Sequence, residues 1–267
     1  MASERYVLAT GDEGAYRLQI VQSVHGPDTE AFLRRAGLAP GMRVADIGCG
    51  VGILACWLAE QVGPEGEVVG VDYSAEQIAK ARETAQAADV TNVRFVNAGA
   101  DATGLEWAAF DLVFSRFMLM HVQRPEAAIV EMRALLKPGG ILAIEDGDFT
   151  SPFCYPPSAA FDRCFELYRQ LGARHGEDFV IGPKLYSMAR AAGLQDVQVA
   201  LAQPVCVRGD AKRLPEWTLA ECAPALTAEG LATQAEIDEL VAEMAALAAD
   251  ENSLFGMARM TQVWARR

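Results

Sequence analysis

The 267-residue sequence predicts an α/β protein: a mostly parallel sheet of seven strands, helices on both of its faces, and a helical insertion late in the chain. Three observations predict it. Apolar runs of strand length alternate with segments of helical period from residue 42 to 146, the order that builds a parallel sheet. A glycine-rich turn joins the first run to its helix. After residue 146 the alternation gives way to helical periodicity, before a last strand-like run.

The run "MRVADI" (42–47) is a buried strand, and "GILACWLAEQV" after it a helix. "GEVVGVD" (66–72) is the second strand and "SAEQIAKARETAQAA" (74–88) the second helix. "NVRFVNA" and "FDLVFSRF" (110–117) are strands three and four. "RPEAAIVEMRALL" is a helix, and "GGILAIED" (139–146) the fifth strand. "SAAFDRCFELYRQL" sets Phe161, Cys164, Phe165 and Tyr168 at helical spacing, and a short helix follows near 183–192. "LQDVQVALAQ" (194–203) alternates like a sixth strand, and "SLFGMARMTQVWARR" reads as a closing one.

These elements divide the chain into a helical cap at 1–35, a core at 36–203, a helical lid at 204–253 and a closing strand at 254–267. Strand six is expected to run parallel to strand five, so the lid leaves it at the edge where ligands bind open parallel sheets. The cap brings Tyr6, Tyr16 and His25 to the same edge. The clearest lid helix, 234–248, has Ile237, Leu240, Val241, Met244 and Leu247 on one face, with Glu236, Glu239 and Glu243 pointing largely elsewhere. Thr233 and Glu236 form a capping box at its start. The apolar face is expected to pack on the cap or roof the pocket; a homodimer would use the same pattern.

The turn "DIGCGVG" places Gly48, Gly50 and Gly52 between strand one and its helix, where a ligand can lie against bare backbone beside a helix N-terminus. A dinucleotide fingerprint needs GxGxxG, but the third glycine here comes one residue early. That argues against a nicotinamide oxidoreductase.

"VADIGCGVG" resembles motif I of the class I S-adenosylmethionine-dependent methyltransferases. "VVGVDYS" resembles their second motif, "FDLVFSRFMLMHV" their fourth-strand region and "LLKPGGILAIED" their fifth, in matching order across residues 36–146. The likeness is to small-molecule enzymes of the ubiquinone/menaquinone and natural-product type. It implies a Rossmann-like fold, S-adenosylmethionine as cofactor, and O-, N- or C-methylation of a small metabolite. Carried over residue by residue, it implies Asp46 near the ammonium of the methionine end, above Gly48, Cys49 and Gly50. Asp72 would accept the ribose hydroxyls, with Tyr73 against the adenine. Asp101 and Ala102 would meet the adenine amino group, and Ser115 and Arg116 the methionine end. Asp111 would shape the start of strand four, and Lys137-Pro138-Gly139-Gly140 a tight turn into strand five.

Methyl transfer from a sulfonium is an in-line displacement, so holding the nucleophile is the main task and an acid or base is optional. His121, one short turn past strand four, can take a proton from a phenol, hydroxyl or amine; a packed histidine is the alternative. Met118 and Met120 are candidates for an apolar pocket. Glu145, Asp146 and Asp148 end strand five, where they can orient an amine or accept a proton. Phe153 and Tyr155 are candidate walls. No metal is expected: metal-dependent catechol-type relatives carry an aspartate where this chain has Ser115-Arg116. Arsenite methyltransferases use paired thiols, of which Cys154 and Cys164 are a weak echo.

A net charge of −13 disfavours nucleic acid and anionic membranes as partners. No apolar stretch is long enough to span a bilayer, and "MASERYVLATGDEGAYRL" has no leader-like apolar region, so a soluble cytoplasmic protein is expected. The six cysteines form no CxxC pair and are expected as free buried thiols. A protein or RNA methyltransferase and a non-catalytic cofactor-binding module are the competing readings.

Overall fold

A computed structural model describes residues 11–267. Helix α1 (Gly11–Ala36) leads into β1 (Arg43–Ile47), α2 (Ile53–Val62), β2 (Glu67–Asp72), α3 (Ala75–Ala87), β3 (Val93–Asn97), β4 (Phe110–Arg116), α4 (Pro125–Leu135) and β5 (Leu136–Asp148). Then come β6 (Phe153–Tyr155), α5 (Ala159–His175), α6 (Leu185–Ala191), β7 (Gln195–Ala202), β8 (Val205–Cys206), α7 (Leu214–Ala228), α8 (Gln234–Ala249), β9 (Leu254–Gly256) and β10 (Arg259–Arg266).

Seven strands form one sheet in the order β3-β2-β1-β4-β5-β10-β7. Neighbours from β3 to β5 pair in parallel, and β10 runs antiparallel to both β5 and β7. Strand β7 therefore points the same way as β5, as expected of the sixth strand. Side chains alternate across the sheet. Val44, Val68, Leu112 and Phe114 meet Phe32 and Leu33 of α1, Leu54 and Leu58 of α2 and Ile78 of α3. On the other face Ile47, Val69, Val71 and Val113 meet Ile129 and Met132 of α4 and Leu185 of α6. That second core runs on into Leu167 and Leu171 of α5 and Leu219 and Leu226 of α7, so the insertion shares the sheet's hydrophobic interior.

Local chemistry sets the element ends. Ser74 accepts from the Gln77 amide at the start of α3, and Ser158 from the Phe161 amide at the start of α5. Thr233 accepts from the Glu236 amide at the start of α8, but the Glu236 carboxylate pairs with Arg163 of α5 instead of closing a capping box. Asp111 accepts from the Arg43 amide and from Lys137 Nζ, tying together the starts of β1, β4 and β5.

Three features depart from the sequence reading. The closing run is two strands, broken at Met257-Ala258, and its first part pairs with β6 and β8 in a small antiparallel sheet. Gly256 permits this, because a Cβ there would lie 2.1 Å from the Phe153 ring. Phe153 and Tyr155, expected as pocket walls, belong to that sheet and are exposed. Helix α8 turns its apolar side chains toward α5 and α7; it neither roofs the pocket nor packs on α1. Tyr6 lies outside the described residues.

Candidate active site

Strands β2 and β3 lie to one side of β1 and β4 to the other, so the strand order reverses between β1 and β4. A crevice opens at that point beyond the carboxyl ends of the strands. Here it is a cavity of about 730 Å³. The loops after β1, β2, β3 and β4 form its floor. Leu18, Val21 and His25 of α1, Phe165 and Tyr168 of α5, and Leu219 and Leu226 of α7 form its walls and roof.

The three glycines of the β1 turn have three different causes. Gly48 has φ +82°, and a Cβ on it would lie 2.6 Å from Met118 Cγ, so it admits the loop after β4. Gly52 has φ +78°, and its Cβ would lie 2.9 Å from Ala81 Cβ, so it admits α3. Gly50 has room around its α-carbon and gives its amide to Asp72 Oδ2 at 3.0 Å. The other carboxylate oxygen of Asp72 accepts from the Ser74 amide at 2.9 Å. Burial raises the Asp72 pKa, and these amide bonds oppose the rise.

Asp46, Gly48, Cys49, Gly50, Asp72, Tyr73, Asp101 and Arg116 all line the cavity, together with His121. Asp46 is 2% exposed and its Oδ2 has no hydrogen-bond partner. Burial lifts its pKa to about 7 despite the nearby Arg116. A buried carboxylate oxygen without a partner suits a cationic donor. The ammonium of S-adenosylmethionine is such a donor, the Asp72 carboxylate suits a diol, and Gly48 and Gly50 present backbone between them. The residues present fit that cofactor. Asp101 is salt-bridged to Arg124. Ala102 and Ser115 do not line the cavity; Ser115 Oγ is buried without a partner.

Arg116 gives Nη2 to Gln22 Oε1 at 2.7 Å and Nη1 to Thr29 Oγ1 at 2.9 Å, both on α1. Thr29 Oγ1 also lies 2.9 Å from Glu145 Oε2, and Gln262 Nε2 donates to Glu145 Oε1 at 3.1 Å. Glu145 is thus an anchor for α1 and stands outside the cavity, a correction to its expected place among the reacting groups. Asp146 needs the same correction. It is 1% exposed and accepts from the Leu119 amide at 2.9 Å, capping the turn at 119–121. Burial raises its pKa to about 7. Asp148 binds Thr150 and Arg259. All three acids end a strand near the crevice, yet their neighbours turn them into the frame.

His121 is placed by that capped turn. Its Nδ1 stands 2.9 Å from Glu177 Oε1, and its ring is edge-on to Phe179. A carboxylate can only accept, so Nδ1 carries the proton and Nε2 is the basic nitrogen. The loop after α5 brings Glu177 here through the Asp178 amide, which bonds to the Met120 carbonyl at 2.8 Å. Sequence reading missed Glu177, and no local signal marks it. Met118 and Met120 line the cavity, as do Phe117, Phe149, Phe165 and Tyr168. Cys154 is outside it, whereas Cys164 and Cys222 are in its wall; burial pushes both thiols up to about 12. Among the described residues, no group of three or more His, Cys, Asp or Glu side chains is arranged to hold a metal ion. Nor is any helix among them long and apolar enough to cross a membrane.

Comparison with known proteins agrees with this geometry. A demethylmenaquinone methyltransferase of Geobacillus kaustophilus is 34% identical over 182 residues, 64% of this chain and 78% of that protein. An arsenite methyltransferase of Halobacterium salinarum is 34% identical over 165 residues, 62% of this chain and 40% of that protein. Across several curated relatives the chain spans only about half of their length, between 40% and 54%. The crystal structure of the YcgJ protein from Bacillus subtilis superposes with a TM-score of 0.62 at 18% identity, covering 91% of this chain and 99% of that one. The family model described as a methyltransferase domain matches residues 38–193. The chain therefore belongs to the methyltransferase domain family, of the class I S-adenosylmethionine-dependent kind.

Proposed function

We propose that the protein methylates a small, partly apolar metabolite at a hydroxyl or amino group. The observation that carries this reading is the His121–Glu177 pair, which opens on the same cavity as the β1 turn. The bound cofactor supplies an electrophilic methyl group on a sulfonium. Asp46 would hold its ammonium and Asp72 its ribose hydroxyls, with Tyr73 and Asp101 on its adenine side and Arg116 on its methionine side. Phe149, Phe165 and Tyr168 hold the acceptor, and the helices above them exclude water. His121 Nε2 would take the acceptor's proton, and Glu177 would steady the imidazolium that results.

The cavity is roofed by α1, α5 and α7, which supports a small acceptor over RNA or a folded protein. The charge of −13 supports the same choice over RNA. The test is incubation with methyl-labelled S-adenosylmethionine and a panel of phenols, hydroquinones, alcohols and amines. Label in one of those small acceptors is the expected result. Label only in RNA or protein, or tight cofactor binding with no transfer, would replace the reading by one of its competitors.

A further inference from the structure

One polar atom in the cavity wall has neither a partner nor a role in the scheme above. His25 lies on α1, is 5% exposed and lines the cavity. Its Nδ1 has no hydrogen-bond partner. The ring stands edge-on to Phe117, with centroids 4.9 Å apart. Phe117 meets Phe149, and Phe149 meets Phe165, Tyr168 and Phe179. His25 thus belongs to the aromatic part of the cavity.

We propose that His25 is an acceptor-binding residue, its Nδ1 kept open for a hydroxyl or uncharged amino group of the small molecule being methylated. The inference rests on the small-molecule reading for what fills the aromatic part. Buried polar atoms in folded proteins are nearly always paired, so one left open inside a cavity is matched by something that enters it. A neutral imidazole has one donor and one acceptor nitrogen, and a hydroxyl or amine can meet either.

Two of the three histidines that line the cavity divide the work. Glu177 stands ready to stabilise a cation on His121. The charged group acting on His25 is Arg116, a cation, and together with burial it holds the ring neutral, with a pKa of about 3. His25 therefore positions the acceptor and leaves the proton to His121.

The chain has three histidines, so ¹⁵N-histidine labelling gives three ring systems, assignable with single variants. S-adenosylhomocysteine is added first, then phenol or aniline as probe. The expected result is a His25 Nδ1 signal that ignores S-adenosylhomocysteine, moves on adding phenol or aniline, and stays that of a neutral ring. His25→Leu should weaken phenol binding to the S-adenosylhomocysteine complex about tenfold, the factor for one hydrogen bond. His25→Asn, which returns a polar atom near Nδ1, should restore it, and both variants should bind S-adenosylhomocysteine as the native protein does. A signal that moves with S-adenosylhomocysteine alone gives Nδ1 to the cofactor and overturns the proposal. So does a signal that answers neither probe, or a ring that becomes cationic when the probe binds. Should phenol dock on His25 while no small acceptor ever gains label, the assignment of His25 stands and the reading of the reaction falls.

Discussion

The Gly50 amide donates to Asp72 Oδ2 at 3.0 Å, so the turn after β1 and the end of β2 form one hydrogen-bonded unit. Removing the carboxylate should both loosen the turn and take away the diol site. Asp72→Ala is expected to weaken S-adenosylhomocysteine binding by about 1–3 kcal/mol. Calorimetry that finds native affinity in this variant would remove Asp72 from the cofactor site.

His121→Gln should leave S-adenosylhomocysteine affinity unchanged and lower kcat roughly 10²–10⁴-fold on the acceptor found by the labelled-methyl panel. Glu177→Gln should give a smaller loss of the same kind, because it weakens support for the imidazolium but keeps a hydrogen-bonding group at Nδ1. Equal and native turnover in both would make positioning the whole of catalysis and His121 a packing residue.

Asp46 links pH to stability. Its folded pKa of about 7 lies above that of an exposed aspartate, so the cofactor-free folded state binds more protons than the unfolded state between roughly pH 4 and 7. Stability contributed by this group is therefore lost as pH rises through that window. Asp46→Asn should flatten the dependence, raising the melting temperature of the cofactor-free protein at pH 8 while leaving it nearly native at pH 4. It should also weaken S-adenosylhomocysteine binding. Thermal melts at several pH values decide it: parallel curves for the two proteins would show that Asp46 titrates normally.

Gly48→Ala combines an unfavourable positive φ with a Cβ 2.6 Å from Met118 Cγ. The expected cost is about 2–4 kcal/mol, from the left-handed backbone and overpacking together. Gly41, also at positive φ but with nothing near its Cβ position, should suffer only the backbone part when changed to Ala. Denaturant melts showing equal losses at both positions would mean that the contact with Met118 relaxes freely.

Thr29→Val takes the shared hydroxyl from between Arg116 and Glu145. Glu145 is buried and Arg116 half-buried, so about 1–3 kcal/mol should be lost. Hydrogen exchange should quicken in α1 while β1, β4 and β5 keep their protection. Uniform loosening of the sheet would show that α1 is part of the cooperative core.

The sequence made the β1–β2 side of the cavity legible because its signals are local: three glycines in five residues and Asp72 ending an apolar run. The acceptor half is assembled by tertiary contacts. Glu177 follows His121 by 56 residues, and only packing of the loop after α5 joins them. Glu145 and Asp146 misled for the same reason: an acid at a strand end looks available until Thr29, Gln262 and the Leu119 amide are found to hold it. The small sheet escaped notice because two- and three-residue strands have no measurable period.

Strand β10 is the last in chain order, yet it lies between β5 and β7. Until it arrives, β7 has no neighbour in the main sheet and β5 has a bare edge. A nascent chain emerging from a ribosome can pair β1 to β5 early, but the sheet closes only when residues 259–266 are out. Truncation or a stalled codon just before residue 259 would therefore leave two unsatisfied strand edges side by side, a template for aggregation. Completion of the sheet would wait on residues 259–266, far along the chain from the glycine turn after β1.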